Sequence, residues 1–517
     1  MKPPSAPSIF SIAACHALLV TLSCSSAHAL NWDGLATGAG ASDGGANWNA
    51  GNVWWNGTSS GAWVDGSSAV FGAGGMAGTV NLQGQTYNVS GLTFNAVDLT
   101  DVTDPPPTVV HPAYTLSNGR TNIASGGSIS IAATATGPDP SDRIKLNQII
   151  GGHDVTITHT GGSVFYQLGG SNQWTGNLTL DATNGNNSQF VEIKAPNAIS
   201  TLGKITVESG NTLAMAASGT FTGPEIEIRG TGANSRGAFR IDANATINNN
   251  ITLAANARIS TINDGVVTTL GGNITGAFLL DQNSSGTVGT LIYAGTNTIS
   301  ELSATKGNAQ IGVGSVGSIT GNVTAGGTAA MVTGTGTING NLNVTTGVVK
   351  PGDHTGTGIA GAGTGLGTLN VNGNASLNLT AAGTAAEFQM GLASSDRLAV
   401  TGNLTLSGTT TIVGLFAAGY TPTEGNTWNL ITYGGTLTQG SFDLGANMRT
   451  GADSVGNEGN LNLPDVSANG LVWDVALTNG ALTATLAVIP EPSAALLFGA
   501  STTLLTLRRR RKSGCGE

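Results

Sequence analysis

Gly176-Asn177-Leu178-Thr179-Leu180 sets the reading of this chain, because the same unit keeps returning. It reappears as Asn250-Ile251-Thr252-Leu253, Gly272-Asn273-Ile274-Thr275 and Gly321-Asn322-Val323-Thr324, then as Gly340-Asn341-Leu342-Asn343-Val344 and Gly402-Asn403-Leu404-Thr405-Leu406. Each copy is a Gly-Asn turn followed by apolar-polar-apolar alternation, the period-two pattern of a strand with one buried face. The spacing is uneven, with 19 residues from 321 to 340 and 29 from 373 to 402. Turn insertions of variable length around a stacked core produce such unevenness. One unit is too small to bury its own apolar face, so units must stack and share a core. The expectation is an all-β chain forming a right-handed parallel β-helix, with Thr and Asn hydrogen-bonded from rung to rung. Tandem antiparallel sandwiches are the alternative compatible with the same alternation.

Composition points the same way. Of 517 residues 79 are glycine, and only 9% are charged, so long helices are disfavoured. The 39% of hydrophobic residues is too much for plain disorder. Omitting Lys2, the five tail cations, Glu491 and Glu517 leaves 13 basic and 27 acidic residues over 30–489, a net charge of −14. That surface argues against a nucleic-acid partner, which needs clustered Lys and Arg. The three cysteines, Cys15, Cys24 and Cys515, lie at the two ends, so neither disulfides nor thiolate metal sites hold the body together.

Six regions follow from the pattern: 1–29, 30–97, 98–142, 143–418, 419–488 and 489–517. Region 30–97 holds Trp32, Trp48, Trp54, Trp55 and Trp63, five of the eight tryptophans. Flat rings suit a carbohydrate-stacking platform, but a β cap over the open end of the solenoid explains them better. Region 98–142 contains Asp104-Pro105-Pro106-Pro107 and Gly137-Pro138-Asp139-Pro140 and reads as an inserted loop or edge. The repeats occupy 143–418, and the aromatic strands around Trp428 and Trp473 in 419–488 read as a C-terminal β cap.

The two ends carry addresses. Lys2, an apolar run from Ile9 to Leu22 and Ala27-His28-Ala29 have the form of a secretory signal peptide cleaved before Leu30. At the other end Pro490-Glu491-Pro492-Ser493 precedes an apolar stretch from Ala494 to Leu507, and Arg508-Arg509-Arg510-Arg511-Lys512 follows. At roughly 15 residues the stretch is shorter than the ~20 that span a hydrocarbon core, and snorkelling arginines offset part of the deficit. It is read as a single hydrophobic transmembrane helix whose basic stop stays cytoplasmic.

Those three tail elements, in that order, resemble the PEP-CTERM sorting signal of Gram-negative-type bacteria. The resemblance implies export through a Sec-type machinery, transient anchoring in the inner membrane and processing near the motif by an exosortase, a membrane-embedded cysteine protease-transpeptidase. The destination is then the cell surface or extracellular matrix. The body is also similar to autotransporter passenger stalks and autotransporter-associated β-strand repeat proteins. That likeness rests on Gly334-Thr335-Gly336-Thr337-Ile338-Asn339-Gly340, Val349-Lys350-Pro351-Gly352-Asp353 and Ser395-Asp396-Arg397-Leu398. It also rests on Asn31-Trp32-Asp33, Ala69-Val70-Phe71-Gly72 and Gly91-Leu92-Thr93-Phe94 near the start.

Chemistry is sparse. The best carboxylate pair is Glu225 and Glu227, two apart on a strand and therefore on one side, about 6–7 Å apart, a separation that suits an inverting acid/base pair. The plainer account puts Ile226 and Ile228 in the core and Glu225, Glu227 and Arg229 on a solvated face. His111, His153, His159 and His354 are not spaced as metal pairs, and His153-Asp154 reads as a turn. Asp139 and Asp142 are candidates for a calcium site, without the array of a calcium roll. No catalytic residue, metal or cofactor is assigned. The function expected is an exported, non-enzymatic structural or adhesive protein, with extracellular polysaccharide as a candidate partner. The alternative is a secreted β-helix polysaccharide lyase or glycosidase.

Overall fold

The computed structural model describes residues 28–36, 44–72, 78–95, 114–132, 143–147, 149–159, 163–170, 172–182, 188–284, 289–353, 365–392, 394–451, 459–478 and 480–488. Among these residues there is no α-helix, and the strands pair mostly in parallel with strands one coil away. The parallel solenoid expected from the repeats is what forms; tandem antiparallel sandwiches do not.

Columns of identical orientation run along the ladder. Leu30, Ala69, Leu92, Ile129, Ile157, Leu180, Val207, Ile228 and Leu253 lie opposite one another in successive coils. All are buried. Each aliphatic side chain so buried contributes about 1.5–3 kcal/mol, and none has a core until its neighbours are stacked above and below. A second column joins Val155, Leu178, Ile205, Ile226, Ile251 and Ile274.

The Gly-Asn pair forms the corner between strands rather than a hairpin. Asn250 Oδ1 accepts the backbone N–H of Asn273 (3.0 Å), and Asn273 Oδ1 accepts that of Thr296 (2.9 Å), each 23 residues on. Asn322, Asn341, Asn374, Asn403 and Thr436 continue the arrangement with separations of 19, 33, 29 and 33 residues. Glycine precedes the asparagine because the coils touch there. A Cβ on Gly340 would lie 2.4 Å from the carbonyl oxygen of Gly321, and one on Gly373 the same distance from that of Gly340.

Both ends close on aromatic clusters. Trp32, Trp48 and Trp54 are buried, with ring centroids 5.1 Å (Trp32–Trp54) and 4.7 Å (Trp48–Trp54) apart. The ladder already begins here, since Ala29–Trp32 pairs in parallel with Ser68–Phe71 on one side. On its other side it meets Trp54–Trp55 antiparallel, which ends the open edge. At the far end Thr427–Tyr433 pairs in parallel with Arg397–Val400 but antiparallel with Ala481–Val488, which pairs antiparallel with Leu471–Thr478. Phe416, Tyr420, Trp428 and Trp473 pack together inside this closure.

One expectation is corrected. Within 98–142 the described part, Tyr114–Ala132, is ladder and not inserted loop: Arg120–Ala132 pairs with Thr86–Asn95 before it and with Val155–His159 after it. The prolines that suggested a loop flank this segment, while Tyr114, Leu116, Ile123 and Ile129 are buried at inward positions. Residues 96–113 and 133–142 lie outside the described residues.

Candidate functional site

Pro490, Glu491, Pro492 and Ser493 of the expected sorting motif, the expected basic stop Arg508–Lys512, and Ala27 lie outside the described residues, as does the expected transmembrane segment. Ala29, the last residue of the expected signal peptide, is exposed at the first strand, and the core column starts one residue later with Leu30. Among the described residues no helix is long and apolar enough to cross a membrane.

What the described surface presents is a column of small polar side chains. Ser128, Thr156, Thr179, Thr206, Glu227, Thr252, Thr275 and Thr298 occupy matching positions in consecutive coils, alternating with the buried column beside them. Further along, Ser303, Thr324, Asn343, Ser376, Thr405 and Thr438 do the same. Adjacent parallel strands place such groups about 4.8 Å apart, so the faces carry regular rows of hydroxyl and amide groups.

Glu225 and Glu227 sit on this face, with Ile226 and Ile228 in the core as the alternation required. Lys204 Nζ lies 2.7 Å from Glu227 Oε2 and 4.0 Å from Glu225 Oε1, while Thr252 Oγ1 donates to Glu225 Oε1 at 2.7 Å. Arg229 bridges Glu227 and Glu208, the latter at 3.2 Å. The hydrogen bond from Lys204, aided by Arg229, holds the Glu227 carboxyl below its ordinary range. A general acid needs the opposite shift, so Glu227 is placed as the centre of an ion-pair network rather than as the acid of such a pair.

A second charged group was not legible in the sequence. Arg240, almost wholly buried, donates from Nε and Nη2 to the two carboxylate oxygens of Asp242 (2.8 and 2.6 Å) and lies 3.9 Å from Glu192 Oε1. Its guanidinium carbon stands 4.8 Å from the Phe190 ring centre. Glu192 also meets Lys194 at 3.2 Å and accepts from Gln167 Nε2 at 3.0 Å. Burial raises the Asp242 carboxyl despite the opposing charge of Arg240. Lys350 and Glu387 form another mostly buried pair at 2.9 Å.

Of the histidines, His153 lines a groove of about 500 Å³ with Ser125, Ser128, Asp154 and Thr156. Asp154 Oδ1 accepts the backbone N–H of Asn177 at 2.8 Å, the same corner role that asparagine plays elsewhere, so His153-Asp154 is a turn as read. His159 lies in a strand. His111, His354, Asp139 and Asp142 lie outside the described residues, among which no group of three His, Cys, Asp or Glu is placed to hold a metal ion. Three of the five clustered tryptophans are buried, which makes them the packed interior of the cap and not a stacking platform. Compared with known protein families and with curated proteins, the chain matches none.

Proposed function

We propose that this chain is an exported, non-enzymatic β-solenoid with a structural or adhesive role at the cell surface or in the extracellular matrix. The observation that carries the reading is the use of the repeat itself. The recurring Gly, Asn and aliphatic residues stack coil on coil, and they leave outward rows of Ser, Thr and Asn side chains. Such a rod contributes length, rigidity and a polar contact surface for extracellular polysaccharide.

Delivery is proposed from the ends of the sequence. The signal before Leu30 starts Sec-type export, and Arg508–Lys512 halts the chain in the inner membrane under the positive-inside rule. An exosortase-like transpeptidase then acts near Pro490-Glu491-Pro492-Ser493. A body free of cysteine needs no oxidative folding once outside. The test compares the full chain with one lacking 490–512, by cell fractionation and by mass measurement of the mature C-terminus. The proposal requires mislocalisation of the deleted form and a mature end near the motif; unchanged localisation would overturn it.

A secreted β-helix carbohydrate-active enzyme is the second reading, favoured by the raised carboxyl of Asp242 beside Glu192 and Arg240. It requires that the purified chain cleave a polysaccharide and that Asp242→Asn abolish cleavage while leaving the fold intact. Absence of cleavage across a broad polysaccharide panel removes it.

A further inference from the structure

The ladder pairing is interrupted at one place in three consecutive coils. Strands Ile251–Thr261 and Ile274–Asn283 pair at Ile251↔Ile274 and Thr252↔Thr275, part, and resume at Ala257↔Leu280. In the coil before, Glu225–Gly230 pairs through Ile228↔Leu253 and then slips to Gly230↔Ala257. Across the gap between Thr252 and Ala257 the register is unchanged, but it shifts in the next coil from Gly276↔Ile299 to Leu279↔Glu301. Gly230 and Gly276, which border the two shifts, take positive φ, +76° and +130°. Phe278, two residues beyond Gly276, stands 38% exposed, a large apolar ring at the surface.

Phe278 borders a groove of about 400 Å³ together with Ser209, Arg229, Gly230, Ala255 and Asn256. The groove is shallow and open to solvent, with a mostly apolar lining and a few polar groups, so it can hold one face of a ligand rather than enclose it. The Arg229 guanidinium is held from two sides by Glu208 and Glu227 and so forms a fixed wall. Asn256 Oδ1 accepts the backbone N–H of Leu279 at 3.0 Å, which fixes the side chain without using its amide nitrogen. Ser209 adds a hydroxyl.

From this geometry we infer that the groove is a subsite for a neutral hexosyl unit of a polysaccharide. The apolar face of a pyranose ring packs on Phe278, and its hydroxyls meet Asn256 and Ser209. Charge selects against an acidic sugar. Glu208, Glu225 and Glu227 outnumber Lys204 and Arg229, both of these cations are engaged by those carboxylates, and the chain carries a formal charge of −10. The inference deepens the adhesive reading by naming where that surface binds and what class of sugar.

The experiment uses the purified full-length chain and titration calorimetry with cellohexaose, maltohexaose, chitohexaose and, as the acidic probe, hexagalacturonate. At least one neutral hexamer binds the parent chain, and Phe278→Ala weakens that binding about tenfold or more, the loss of roughly one stacked ring. Asn256→Asp keeps the acceptor for Leu279 but removes the amide donor, and weakens binding severalfold. Leu392→Ala, at a 75% exposed residue outside the groove, binds as the parent does. Thermal unfolding of each variant separates a lost site from a lost fold. Absence of binding by every neutral hexamer, equal affinity in Phe278→Ala, or preference for hexagalacturonate overturns the subsite. None of these results bears on the tail-deletion test, which reads location, so failure of the subsite and failure of export are told apart.

Discussion

Asn341 accepts the backbone N–H of Asn374 through Oδ1 at 2.8 Å, although 33 residues separate them, and donates its own N–H to Asn322 Oδ1 only 19 residues back. One side chain therefore sits at the meeting point of a long coil and a short one. The corner is kept while the path between corners changes, because the hydrogen bond fixes only the stacked positions. The long coil gains its length between strands Val348–Pro351 and Thr368–Val371. Loop-closure entropy grows slowly with length, so such insertions cost little.

Replacing Asn341 with Ala removes the acceptor for the exposed Asn374 N–H. The expected cost is about 0.5–1.5 kcal/mol, the net worth of one hydrogen bond, since water can solvate the exposed donor. Asn341→Asp retains an acceptor in the same position and loses less. Amide hydrogen exchange at Asn374, alongside urea unfolding, checks this. Equal protection of Asn374 in the Ala variant and the parent would show that the ladder bond contributes nothing.

Gly340 and Gly326 separate steric need from mere glycine content. A Cβ at Gly340 would meet Gly321 O at 2.4 Å, whereas one at Gly326 finds its nearest neighbour, Thr324 Cγ2, at 3.6 Å. Gly340→Ala is expected to destabilise by about 2–3 kcal/mol through forced separation of two coils. Gly326→Ala is expected to fall within about 0.5 kcal/mol of the parent. Denaturant midpoints of the two variants give the comparison, and similar values would mean that the coils are not in contact at the Gly-Asn corner.

The repeat made the stacked strands legible because each unit carries both its corner and its alternation within a few residues. Glu225 and Glu227 were placed on the outer face for the same local reason. The start of the ladder was not legible, because Leu30, Ala69 and Leu92 belong to one column but sit among tryptophans and irregular spacings. The Glu192–Arg240–Asp242 group and the Phe278 groove were hidden for a different reason. Their members come from separate coils, and register across coils depends on loop lengths and bulges that alternation does not encode. The proposed sorting signal is the reverse case: the reading rests on the order of its residues and not on a fold.

Acid should weaken the Lys204–Glu227–Arg229 network in a defined direction. The Glu227 carboxyl is held below its ordinary value of 4.5, chiefly by the hydrogen bond from Lys204. A depressed carboxyl contributes stability that is present above the unfolded value and is lost as pH falls through the lower folded value. The stability difference between the parent and Glu227→Gln should therefore be largest at neutral pH and shrink below about pH 4.5. Urea midpoints of both chains across that range test it. A difference that stays constant into acid would mean that Glu227 makes no charge-dependent contribution.

Trp54 tests whether the tryptophan cluster closes the solenoid. Its ring is buried against Trp32 and Trp48, its Nε1 donates to Trp48 O at 2.8 Å, and its strand covers the outer edge of Ala29–Trp32. Trp54→Ala empties a large volume and leaves the Trp48 carbonyl without that donor, at an expected cost of about 3–5 kcal/mol. In a stacked array each coil contacts only its neighbours, so the loss should stay local. Hydrogen exchange should quicken in Ser68–Phe71 and Thr86–Asn95 and remain unchanged in Leu404–Leu406 and Thr410–Phe416 at the other end. Uniform loss of protection would instead mean that the whole rod unfolds as one unit. No change at either end would mean that the cluster adds nothing to the stability of the first coils.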